Sequence, residues 1–141
     1  MKMRNRILSL ALLAILMVSM ATFAFASTDG GITPYFNNTS TTETIFTISE
    51  SGVGTVAFTC RGYRGITTKI VAETKIEKQV GSSWIAVEGA SWTDQSTLYY
   101  CVKEHSIQLS ARGTYKATVT YTVSGSGGAA DVIVAEIEKT Y

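Results

Sequence analysis

The sequence predicts an all-β fold, a two-layer sandwich of about seven strands, on three observations. Val, Ile, Thr and Tyr dominate and Pro34 is the single proline, a composition that suits strands better than helices. Apolar and polar residues alternate with a period of two along two long stretches. Turn residues recur at near-regular intervals, and no stretch carries a convincing helical period. That pattern is expected of a sandwich, with a barrel of similar strand count as the structural alternative.

The first segment is not part of that fold. Lys2, Arg4 and Arg6 precede an almost unbroken apolar run from Ile7 to Ala26, which ends in Ala24-Phe25-Ala26 and is followed by polar Ser27-Thr28-Asp29-Gly30-Gly31. This is the order of a secretory signal, and cleavage is expected after Ala26. The run is also just long enough to span a bilayer, so an uncleaved anchor is the competing reading. No cysteine follows it, which excludes a lipoprotein anchor, and no wall-sorting tail is expected after the last strand. Residues 1–26 are thus the signal peptide and residues 27–141 one released domain, with no membrane partner. Removing Lys2, Arg4 and Arg6 takes the twelve Lys and Arg to nine against eleven Asp and Glu. A net charge of two negative makes a nucleic-acid partner unlikely on electrostatic grounds.

Along that domain, Thr44 to Ser49 places Phe46 and Ile48 inward, and after Gly52-Val53-Gly54 the stretch Thr55 to Cys60 does the same with Val56, Phe58 and Cys60. From Ile66 to Val80, Ile66, Thr68, Ile70, Ala72, Thr74, Ile76 and Val80 share one parity, and Lys69, Glu73, Lys75 and Glu77 fall on the other. That is a long half-buried strand. Gly81-Ser82-Ser83 supplies turn chemistry, and Trp84-Ile85-Ala86-Val87 reads as the returning strand. A fifth strand runs from Leu98 to Lys103. Thr114 to Val123 is the sixth, with Tyr115, Ala117, Val119, Tyr121 and Val123 inward. Beyond the flexible Ser124-Gly125-Ser126-Gly127-Gly128 connector, Asp131 to Lys139 closes a C-terminal hairpin.

Cys60 and Cys101 are the only cysteines, both on predicted strands of an exported chain, so a disulfide is the default reading and two buried thiols the alternative. A bridge would close a loop of about 40 residues and stabilise by about 4 kcal/mol. With His105 as the only histidine, these residues fall short of a tetrahedral metal site, and no metal or cofactor is expected.

The segment Gly113-Thr114-Tyr115, with Val119 and Tyr121 further along, resembles the entry to the penultimate strand of immunoglobulin-like domains, where a tyrosine pins the corner. The antibody-type core tryptophan has no counterpart, since its position falls near Ala72, and Cys101 lies on the strand before Tyr115. The resemblance therefore implies an immunoglobulin-like β-sandwich whose cysteines are neighbours in one sheet. Ile32-Thr33-Pro34-Tyr35, Gly81-Ser82-Ser83-Trp84 and Gly113-Thr114-Tyr115 together give a layout similar to a group of small, exported, functionally uncharacterised proteins of Gram-positive bacteria. That resemblance implies an extracellular location and no known activity.

Catalytic inventory is thin. His105, in the polar stretch Lys103-Glu104-His105-Ser106, reads as a solvated loop or strand-edge histidine without an orienting partner. Glu73 and Glu77 alternate with lysines as a charged outer face, and Gly125 to Gly128 lacks the lysine and helix of a phosphate loop. No enzyme is expected. Aromatic residues are the richer inventory: Trp92, Tyr99 and Tyr100 are the candidate ligand contacts, with Tyr63 in Arg61-Gly62-Tyr63-Arg64-Gly65 as another loop ring. Trp84 reads as a cover for one end of the core, and Trp92 as a loop residue. Asn37 and Asn38 satisfy the Asn-x-Ser/Thr pattern, and with the Thr39 to Thr44 run they read as an exposed polar linker. The leading expectation is a non-catalytic exported binding domain for an extracellular protein or glycan. Alternatives are a structural subunit that donates Asp131 to Tyr141, favoured by self-association, and a carbohydrate-binding module, favoured by exposure of Trp92. A cleft around His105 containing a carboxylate would revive catalysis.

Overall fold

In the computed structural model, which describes residues 35–141, these residues form seven strands and no helix. They are β1 (Thr39–Ile48), β2 (Val53–Gly62), β3 (Thr67–Val80), β4 (Ser83–Ser96), β5 (Tyr100–Gln108), β6 (Thr114–Gly125) and β7 (Gly128–Thr140). The signal segment and Ile32-Thr33-Pro34 lie outside the described residues. Among the described residues no helix is long and apolar enough to cross a membrane.

Two antiparallel sheets form, one ordered β1-β2-β5 and the other β4-β3-β6-β7. The ladder does not close, so the fold is the sandwich and not the barrel. The fourth strand pairs with β3, whereas constant-type immunoglobulin sandwiches place it on the opposite sheet.

Alternation decides which face each strand buries. Phe46, Val56, Phe58 and Cys60 from the smaller sheet meet Ile70, Ala72, Ile76, Ala117, Val119, Tyr121 and Val123 from the larger, all at 3 % exposure or less. Tyr121 meets Phe58 edge-on at 5.6 Å between ring centroids, and its hydroxyl lies 2.6 Å from Thr44 Oγ1. Burial pushes its phenol up to about 12, against the effect of that hydrogen bond. Tyr115 donates its hydroxyl to the Ala111 carbonyl at 2.5 Å, so the tyrosine corner is present at the entry to β6.

The sheets are joined by polar contacts along both open edges. On one side, the Asp131 carboxylate at the start of β7 accepts hydrogen bonds from the backbone N–H of Asn37 (3.0 Å) and Asn38 (2.8 Å) and from the Thr39 hydroxyl (2.8 Å). Asn38 in turn donates to the Ala129 carbonyl at 2.9 Å and accepts from the Gly127 N–H at 3.1 Å. On the other side, His105 of β5 meets Asp94 of β4.

Four expectations need correction. The Asn37 to Thr44 stretch is no exposed linker: β1 begins at Thr39, and Asn38 is fully buried because Asp131 needs its N–H. Strand β4 does not end at Val87 but runs to Ser96, so Trp92 is on a strand. Trp84 lies not on the core but beneath the Lys116 ammonium, 4.7 Å from the ring centroid, on the outer side of the larger sheet. Cys60 and Cys101 are neighbours in one sheet, in register on β2 and β5, but both are thiols. Directly opposed antiparallel residues hold their Cα atoms about 4.5–5.5 Å apart, inside the span a disulfide allows, so the register does not forbid a bridge; the two sulfurs are unjoined.

Candidate interaction site

One end of the sandwich carries a cluster of tyrosines and arginines. It is built by the turn between β2 and β3 and by the first residues of β5. The turn is held closed by its own backbone: Ile66 and Thr67 donate to the Tyr63 carbonyl at 3.1 and 2.9 Å, and Tyr63 donates to the Asn38 carbonyl at 3.3 Å and to Thr67 Oγ1 at 2.9 Å. Gly62 makes this possible. A Cβ at that position would overlap Thr67 Oγ1 and the Asn38 carbonyl, so no other residue lets the chain pass so closely. Gly62 also donates to the Tyr99 carbonyl at 2.7 Å, which ties the turn to the start of β5.

On this scaffold Tyr63 is 40 % and Tyr100 44 % exposed. Tyr99 is half-buried; it meets Tyr100 edge-on at 5.4 Å, and the Arg64 guanidinium lies over its ring, 5.8 Å from the centroid. Arg61 and Tyr100 are paired across β2 and β5, so both project from the outer face of the smaller sheet. Leu98, 52 % exposed, adjoins them in sequence. A shallow trough of about 280 Å³ continues down the same face, lined in part by Glu43, Ile45, Ala57, Val102 and Glu104.

Of the three candidate contacts read from sequence, the fold unites Tyr99 and Tyr100 and sets Trp92 apart. Trp92 is half-buried and packs against the core, and one face of its ring is covered by His105, stacked at 4.8 Å and 5°. An open tryptophan platform of the kind that stacks on a sugar is therefore not what Trp92 offers.

His105 has the orienting partner that the sequence reading did not find. Its Nε2 lies 2.5 Å from Asp94 Oδ2, with both side chains mostly buried. The signal was Asp94 two residues beyond Trp92, on the same face once β4 is known to continue. The thiol nearest the pair in sequence among the described residues is Cys101. Cys101 shares the inward face of β5, but its thiol is pushed up by burial and further by Asp94, with Lys103 opposing. Cys60 opposite is pushed up to about 12, by burial first and by Cys101 second. Protonated thiols of this kind are poor nucleophiles. The arrangement instead pins the edge of one sheet to the edge of the other. Among the described residues no group of three or more His, Cys, Asp or Glu side chains is placed to hold a metal ion.

The C-terminal strand, considered above for donation, is tied at both ends. Asp131 holds its start, and Tyr141 exchanges two backbone hydrogen bonds with Gly113, at 2.9 and 3.2 Å, just past its end. Comparison with known proteins finds no match for this chain, whether among protein-family models, curated proteins or solved structures. The Tyr/Arg cluster must therefore be interpreted from its own chemistry.

Proposed function

We propose that the chain is an exported, non-catalytic binding domain that meets an extracellular partner through the end formed by Tyr63, Arg64, Tyr99 and Tyr100. The single observation that carries this reading is the grouping of three tyrosines and two arginines, Arg61 being the second, on a rigid turn and a strand end. Tyrosine and arginine are the side chains that most often dominate binding energy, because each combines a large, stiff contact area with directed hydrogen bonds. Export rests on the Lys2 to Ala26 signal pattern and on the resemblance to small exported proteins of Gram-positive bacteria. The absence of a catalytic role rests on His105 being stacked under Trp92 and committed to Asp94, with no activated nucleophile beside it.

Side-by-side affinity isolation from extracellular material tests the reading, using the domain and a Tyr63→Ala/Tyr100→Ala variant. Both substitutions are at exposed rings and leave the core intact. A partner recovered with the first and lost with the second is the expected result; identical recoveries would count against this end as the contact surface.

A further inference from the structure

We infer that the Tyr/Arg end takes an acidic segment of a protein partner, with Arg61 and Arg64 as the groups that hold its Asp or Glu carboxylates. The inference rests on the binding role proposed above and adds the partner's chemistry. Both arginines are exposed, and neither lies within ion-pair distance of a carboxylate among the described residues, where the three ion pairs are Lys75–Glu77, His105–Asp94 and Lys116–Glu136. The Arg64 guanidinium lies over the Tyr99 ring at 5.8 Å from its centroid and, unpaired among the described residues, can offer its N–H edges to a bidentate carboxylate. Residues 27–141 carry nine Lys and Arg against eleven Asp and Glu, so two guanidinium groups at one end, unpaired among the described residues, are a local feature.

The rest of the face sets the register. Glu43 and Glu104 line the trough beyond the tyrosines together with Lys103, two carboxylates against one ammonium, so an acidic group is placed better at the arginine end, where both charges are positive. Exposed Val102 and Ile45 line the same trough. An aliphatic strip fits apolar side chains flanking an acidic residue, and it does not fit the hydroxyl-rich surface of an anionic glycan.

The test is selection of peptides from a random 12-residue library displayed on phage, using the intact domain as bait, followed by affinity measurement of the enriched peptides. Expected is enrichment of Asp and Glu beside an apolar residue. Affinity should fall about tenfold or more in an Arg61→Gln/Arg64→Gln variant and should weaken as salt is raised. Enriched peptides without acidic excess, whose binding survives Arg61→Gln/Arg64→Gln but not Tyr63→Ala/Tyr100→Ala, would overturn the acidic partner and leave the binding end standing. Binding insensitive to all four substitutions would overturn both. Retention of the domain on a polyuronate column with no peptide enriched would overturn the acidic peptide in favour of an anionic glycan.

Discussion

Asp131 is 7 % exposed, and a carboxylate so placed survives because donors surround it. Burial alone would raise its pKa; the Asn38 N–H, the Thr39 hydroxyl and the Asn37 and Thr39 N–H groups outweigh that and hold it below the ordinary aspartate value. A depressed folded-state pKa contributes stability that is present above the unfolded value, near 4, and is lost as pH falls through the lower folded value. Stability should therefore drop below about pH 4, and Asp131→Asn should flatten that part of the profile in denaturant titrations at a series of pH values. Asp131→Ala leaves buried donors unpaired and is expected to cost about 2–3 kcal/mol. Tyr115→Phe removes only the bond to Ala111 and is expected to cost about 1 kcal/mol. The two thiols give a chemical check at the same scale. Iodoacetamide should label neither cysteine in the folded chain and both in denaturant; a denatured chain that still takes no label would mean a bridge.

At the level of strands, the long alternating elements were legible and the irregular ones were not. In β3 and β6 the buried parity runs unbroken from Ile70 to Ile76, Thr74 included, and from Tyr115 to Val123, because central strands bury one whole face. Strand β4 hides its identity in a bulge: between Ala86, opposite Glu77, and Ser91, opposite Lys75, its parity is lost, and Gly89 takes a φ of 75° that few other residues adopt. Gly89-Ala90-Ser91 therefore resembles a loop, and the placement of Trp92 and Asp94 was lost with it. The opening of β1 is an edge with almost no apolar residue, so Thr39 to Thr44 carries no alternation to read. Tyr99 and Tyr100 were legible as candidate contacts from residue type alone; that Arg61 lies beside them depends on the pairing of β2 with β5, which no local pattern reveals. Two further outcomes belong to the strands. His105→Ala unpins β5 from β4 and should lower stability by about 1–3 kcal/mol, read from the denaturation midpoint. Thr74 and Thr118 each bury a hydroxyl with no protein partner, so Thr74→Val or Thr118→Val should leave stability unchanged or raise it by about 1 kcal/mol.

The described residues 35–141 are two sheets pinned along both open edges, by Asp131 on one side and His105–Asp94 on the other. That bracing suits the proposed role of the Tyr/Arg end, since a preorganised contact loses less entropy on association. The most direct measurement is a tyrosine oxidation footprint of the domain, alone and with its isolated extracellular partner, comparing Tyr63 and Tyr100 with Tyr35, which is 91 % exposed. Protection of Tyr63 and Tyr100 with Tyr35 unchanged is expected. Protection confined to other surfaces, with both tyrosines oxidised as freely as before, would contradict the assignment of the Tyr/Arg end as the binding surface.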